Sequence, residues 1–181
     1  MDVIYTDFSK AFDKVETGVL LHKLKDLGIS GKVGAWIAAF LDSTARQQAV
    51  AVDGRVSSLT PVISGVPQGT VLGPVLFLIH ICDIAAGLSE KTTASSFADD
   101  TRVQRGIKTA DDCSSLQSDL GIIYSWDSRV NMHYNGDKFE CLRFWPSNTS
   151  SAPKHEYKGP AGEVIEVKDN LKALTFPSHS M

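Results

Sequence analysis

Two strand-like segments, Ala94 to Phe97 and Thr101 to Val103, are separated by little more than an Asp99-Asp100 pair. So short a connection permits an antiparallel hairpin and places two adjacent carboxylates at its tip. A second hairpin is signalled by Gln47 to Val52, the turn dipeptide Asp53-Gly54 and a return strand reaching about Ile63. Val3-Ile4-Tyr5 before Asp7 reads as a further short strand.

Helical stripes fall between these strands. Thr17 is placed to cap a helix carrying Leu20, Leu21, Leu24 and Leu27, with Gly28 as its stop. Ser30 caps a second, in which Val33, Trp36, Ile37, Phe40 and Leu41 form a stripe expected to pack inward. An apolar run from Val71 to Ile84, interrupted by Pro74, His80 and Asp83, is too short to span a bilayer and reads as a buried helix with Pro74 in its first turn. Thr109 and Asp112 have capping-box spacing ahead of Cys113, Leu116, Leu120, Ile123 and Trp126. A strand of Phe139, Leu142 and Phe144 ends at Pro146, Ser147 to Lys154 is a polar linker, and Tyr157 to Leu171 is compatible with a hairpin around Pro160-Ala161-Gly162. Helices interleaved with hairpins imply an α+β fold, a small antiparallel or mixed sheet with helices packed on one side.

At 181 residues the chain suits one core. A formal charge of −3 supplies no global field to hold a polyanion. Three dispersed cysteines, Cys82, Cys113 and Cys141, form neither a disulfide framework nor a CxxC zinc site. With no secretory signal and no transmembrane segment in view, the expected setting is intracellular, nucleus or cytoplasm, with no membrane partner.

The chemistry is concentrated in Asp7 at a strand end, Asp99-Asp100 at a hairpin tip and the glycine-bracketed loop Ser64 to Gly69 between them. Carboxylates about 4 Å apart repel by about 4 kcal/mol at an effective dielectric near 20, so clustering them demands a cation. Mg²⁺ answers with one or two carboxylates plus phosphates and water, and two ions about 3.5–4 Å apart activate a hydroxyl and stabilise a leaving pyrophosphate. Each piece alone has a plainer reading: an Asp pair or a Pro-Gln-Gly is usually turn geometry, and a lone His22 or His80 is usually packed or solvated.

Asp7-Phe8-Ser9-Lys10-Ala11-Phe12-Asp13 resembles motif A of the reverse transcriptases of non-LTR (LINE-like) retrotransposons. Ser64 to Pro74 (SGVPQGTVLGP) resembles their motif B, Phe97-Ala98-Asp99-Asp100 their motif C, and Leu116 through Trp126 to Asn135-Gly136-Asp137-Lys138 their motif D. The resemblance implies an RNA-directed DNA polymerase palm over 1–146, with 147–181 a linker and incomplete C-terminal strand, and the fingers and thumb largely missing. It implies two Mg²⁺ ions, with Mn²⁺ as substitute, held by Asp7, the Phe8 carbonyl, Asp99 and Asp100. Phe12 would gate against a ribose 2′-hydroxyl, Gln68 and Gly69 would lie against the incoming nucleotide, and Lys138 would protonate pyrophosphate. The partners implied are an RNA template, a DNA primer and dNTPs. Asp13 is assigned to structure. The chain is expected to start mid-fold and, as a fragment, to have little activity alone. Competing readings are an RNA-dependent RNA polymerase or intron maturase, and a non-catalytic remnant or repurposed palm that binds nucleic acid or protein.

Overall fold

A computed structural model of the chain describes residues 1–144 and 155–169. The expected strand end at Pro146, the polar linker of 147–154 and the final residues from Leu171 lie outside that range. In chain order the elements are β1 (Asp2–Thr6), α1 (Ala11–Lys14), α2 (Thr17–Asp26), α3 (Gly31–Phe40), β2 (Gln47–Gln48), β3 (Ala51–Val52), β4 (Arg55–Val56) and β5 (Thr60–Pro61). They continue with α4 (Leu72–Ile81), β6 (Thr92–Phe97), β7 (Asp100–Arg105), α5 (Ala110–Val130), a 3₁₀ turn (Gly136–Lys138), β8 (Glu140–Arg143) and β9 (Glu166–Asp169). These form two compact units. One gathers 1–8, 85–126 and the described residues from 134 onward; the other gathers 9–84 and 127–133.

The first unit is built on a five-stranded sheet of order β6-β7-β1-β8-β9. β1 pairs antiparallel with β7 and with β8, Ile4 opposing Val103 on one side and Cys141 on the other. Because side chains alternate across a sheet, Ile4, Val103 and Cys141 share one face, and all three are fully buried. α5 covers that face with Leu116, Leu120, Ile123 and Trp126, none of which is exposed. The predicted capping box forms: Thr109 N–H donates to Asp112 Oδ2 at 3.0 Å and Asp112 N–H to Thr109 Oγ1 at 3.3 Å. Two buried polar knots tie the helix and the tail to the sheet. Asp119 accepts from Ser89 and Thr92 at 2.6 and 2.5 Å, with the Arg105 guanidinium 3.6 Å away. Asp2 takes Arg143 through both of its oxygens and the Tyr157 hydroxyl at 2.8 Å.

The sheet is mixed, because β9 runs parallel to β8. The turn near Pro160 does form, with Gly162 N–H donating to Gly159 O and a bridge between Lys158 and Val164. Val164 then leads into β9 beside β8, and the register pairs Glu140 with Glu166.

The second unit holds α1–α4 and the β2–β5 hairpin. Two expectations need correction here. The cap of α2 is Glu16, whose Oε2 accepts Val19 N–H at 2.6 Å, one residue before Thr17; a carboxylate suits the partial positive end of a helix. In α3 Ile37 and Leu41 are buried, but Val33 and Trp36 are exposed. The groove between α2 and α3 is lined by Leu21 and Leu24 on one side and by Gly34, Ala35 and Ala38 on the other. α3 thus turns its small residues to its neighbour, which permits close approach, and leaves Trp36 outside, stacked on Phe40 with ring centroids 5.7 Å apart. α4 carries Pro74 in its first turn and buries Leu76, Phe77, His80 and Ile81.

Candidate active site

Strand register brings the three acidic residues toward one edge of the first unit. The β1–β7 ladder ends with Thr6 opposite Thr101, and β6–β7 closes with Phe97 opposite Asp100. Continued one step past Thr6, that register would set Asp7 opposite Asp100. The two-residue turn of the hairpin is therefore Ala98-Asp99, with Ala98 in the left-handed region at φ 53°. Asp100 opens β7 instead of sharing the tip as expected, because Phe97 claims it as a cross-strand partner.

Asp7 is fixed from its backbone: Asn135 N–H donates to Asp7 O at 2.9 Å, and Ser9 N–H donates to His133 O at 2.8 Å. The bridge between Phe8 and Tyr134 lies between those two bonds and does not use the Phe8 carbonyl. The Phe8 ring is buried against Tyr134, centroids 4.5 Å apart, and Trp126 at 5.9 Å, which anchors the residue that follows Asp7. Asp7 Oδ2 is buried, and the Lys138 ammonium approaches it at 2.8 Å from the 3₁₀ turn. That approach is an ion pair of close charges poorly aligned as a hydrogen bond, because the oxygen finds no well-directed donor. Lys138 is drawn above the usual lysine range first by its contact with Asp7 and further by the charges of Asp99 and Asp100. One ammonium thus senses all three carboxylates.

Among the described residues no three carboxylate, imidazole or thiol groups stand close enough to cage an ion unaided. Oxygen donors of this kind suit a hard divalent cation, which is often held by one or two protein carboxylates and completes its shell with water and substrate phosphates. At the buried Asp7 oxygen the positive charge in this structure is the Lys138 ammonium.

The remaining predicted residues lie in the second unit. Phe12 is half-buried and stacks on Phe77, centroids 4.4 Å apart and planes 13° from parallel. Gln68 Nε2 donates to Asp13 Oδ1 at 2.8 Å, and Ser64 Oγ donates to Asp13 O at 2.8 Å, so Asp13 anchors the loop that carries Gln68. Gly65 is wedged against this anchor, with φ +85°; a Cβ there would meet Asp13 Cα and Phe12 O at 2.8 Å. Gly69, at φ +74°, has open space around its missing Cβ, so backbone conformation alone asks for glycine there. A cavity of about 570 Å³ is lined by Asp13, Arg46, Gln47, Gly65 and Gln68.

Motif reading missed Tyr5, Ser95 and Arg102. Register pairs Arg102 with Tyr5 and with Ser95, one row behind Asp7, Asp100 and Phe97 on the same face. Counting back two residues along each strand from the acidic row would have found them.

Residues 3–174 match the family described as reverse transcriptase (RNA-dependent DNA polymerase). The chain belongs to that family. The chain is 32% identical over 158 residues to the RNA-directed DNA polymerase from mobile element jockey of Drosophila melanogaster, an alignment covering 82% of this chain and 17% of that protein. It is 30% identical to the jockey polymerase of Drosophila funebris and to a probable RNA-directed DNA polymerase from transposon X-element of Drosophila melanogaster, each alignment covering 97% of this chain and 20% of the relative. The chain therefore spans about a fifth of the length of these curated relatives. Among solved structures, apo telomerase from Candida tropicalis, truncated from its C-terminal domain, superposes with a TM-score of 0.57 at 12% identity. That superposition covers 91% of this chain and 35% of the telomerase chain, and it supports the mixed α/β fold. Among the described residues no helix is long and apolar enough to cross a membrane.

Proposed function

We propose that the chain is the palm of a non-LTR retrotransposon reverse transcriptase, spanning 1–146, and that it contributes two-metal transfer of dNTPs to a primer 3′-hydroxyl on an RNA template. The observation that carries this reading is the acidic edge itself: Asp7 directly after the strand whose ladder ends opposite Thr101, Asp99 and Asp100 at the adjoining hairpin, and one lysine drawn upward by all three charges.

Asp7, Asp99, Asp100 and the Phe8 carbonyl are assigned to two Mg²⁺ ions, which when bound would lower the pKa of the attacking hydroxyl and stabilise the leaving pyrophosphate. The chain's own residues do the rest. The Asn135 backbone N–H holds the Asp7 carbonyl, which fixes the backbone that carries the carboxylate. Lys138, on an exposed side chain, is assigned to give a proton to pyrophosphate once released from Asp7. Phe12, backed by Phe77, is assigned to exclude a 2′-hydroxyl, and Gln68, oriented by Asp13, to face the nucleotide. The basic surfaces that grip template and triphosphate belong to the remaining four-fifths of proteins of this kind, consistent with the near-neutral charge here.

Mn²⁺ titration followed by the paramagnetic relaxation of water protons tests the assignment. Asp99→Asn is expected to weaken Mn²⁺ binding at least tenfold while leaving the unfolding midpoint in place. Equal affinity in the two proteins would reassign the chain to a non-catalytic module.

A further inference from the structure

We propose that Arg102 is a phosphate-binding residue for the primer strand, one row behind the carboxylates on the open face of the sheet; the proposal rests on the polymerase reading above. Arg102 stands two residues beyond Asp100 in β7, so both side chains leave the same face about 6.6 Å apart, a spacing comparable with one nucleotide step. Its Nε donates to Ser95 Oγ at 2.6 Å. That bond fixes the guanidinium plane and leaves the terminal nitrogens for a ligand.

The other described arginines of this sheet are engaged: Arg105 faces Asp112 and Asp119, and Arg143 grips Asp2. Glu140, across β1 in the same row, is taken by Lys168 at 2.5 Å. Arg102 enters no described ion pair. It borders a cavity of about 400 Å³ with Tyr5, Ser95, Phe97 and Asp100. Phe97 is 85% exposed there, a cost for an aromatic ring that a stacked base or sugar would relieve. An oriented guanidinium beside an exposed ring recognises a phosphodiester and its neighbouring nucleoside. With the reacting 3′-end at the carboxylate row, the row behind meets one of the last two primer linkages.

The test uses the 181-residue chain and a fluorescent DNA primer annealed to an RNA template, without divalent ions, followed by anisotropy from low to moderate salt. Arg102→Ala is expected to weaken binding and reduce the slope of log K against log salt by about 0.7–0.9, the value of one phosphate contact. Arg102→Lys should restore most of the slope. A neutral methylphosphonate at one of the last two primer linkages should weaken wild type several-fold and leave Arg102→Ala unaffected, which separates a primer phosphate from the phosphates of a nucleotide. Unfolding midpoints of all variants check that the Ser95 bond is not the cause. Suppose Asp99→Asn tightens metal-free binding while Arg102→Ala keeps the wild-type slope and linkage profile; the nucleic acid then lies on this face and the Arg102 assignment alone is overturned. If wild type does not bind at low salt, or Arg102→Ala matches it in affinity, slope and linkage profile, this inference is overturned. The polymerase reading falls separately, by equal Mn²⁺ affinity of wild type and Asp99→Asn.

Discussion

The Lys138 ammonium stands 2.8 Å from Asp7 Oδ2, so under the proposed assignment it competes electrostatically with a metal ion for that carboxylate. Lys138→Gln should therefore raise Mn²⁺ affinity about two- to fivefold, the worth of a solvent-exposed ion pair, as read by isothermal titration calorimetry. A second residue-level effect concerns His80, fully buried in α4. Burial first, and then the nearby Lys23 charge, lower its pKa to about 4, with Asp83 and Glu16 opposing. The unfolded chain binds that proton near pH 6.5. Between pH 6.5 and 4 the unfolded state therefore holds the extra proton, and stability falls as pH drops through this window by up to roughly 3 kcal/mol. Urea midpoints at pH 7 and 4.5 should differ less in His80→Leu than in wild type.

At the scale of elements, the loop from Ser64 to Gly69 depends on a backbone-to-backbone contact that no side chain can share. Gly65→Ala combines a left-handed φ with a 2.8 Å clash against Asp13 and Phe12. It should cost about 2–4 kcal/mol in urea unfolding, and Ser64→Ala much less. Local chemistry made most elements legible: Asp53-Gly54 marked its turn, Thr109 and Asp112 their capping box, and the period of Leu116 to Trp126 the inner face of α5. What escaped was decided by neighbours. Val33 and Trp36 share the apolarity of Ile37, and only the Gly34-Ala35-Ala38 face set against α2 shows why they point away. The Asp99-Asp100 pair looked like a turn, but a cross-strand partner for Phe97 moved the turn back by one residue. In the acidic edge, motif spacing singled out Asp7, Asp99 and Asp100 as the proposed metal ligands, whereas Arg102 carries no motif and becomes visible through register alone.

For the whole molecule, the decisive fact is that the first unit is assembled from distant stretches. Asp2, Arg143 and Tyr157 meet in one buried knot although 141 and 155 residues separate the partners from Asp2. Removing the guanidinium strands a buried carboxylate, so Arg143→Ala should cost about 3–5 kcal/mol. Hydrogen exchange should then show 155–169 losing protection together with β8. The parallel pairing of β9 with β8 was not foreseeable from local pattern, since nothing in Glu166 to Asp169 distinguishes a strand beside β8 from the second arm of a hairpin.

β1 is the middle strand of the sheet, yet it leaves the ribosome well before either flank: β7 follows by about a hundred residues and β8 by still more. During synthesis its apolar Val3 and Ile4 emerge long before the two strands that flank them in the sheet. This places the slow step of folding at long-range closure and makes the nascent chain a natural client for chaperones that shield exposed strands.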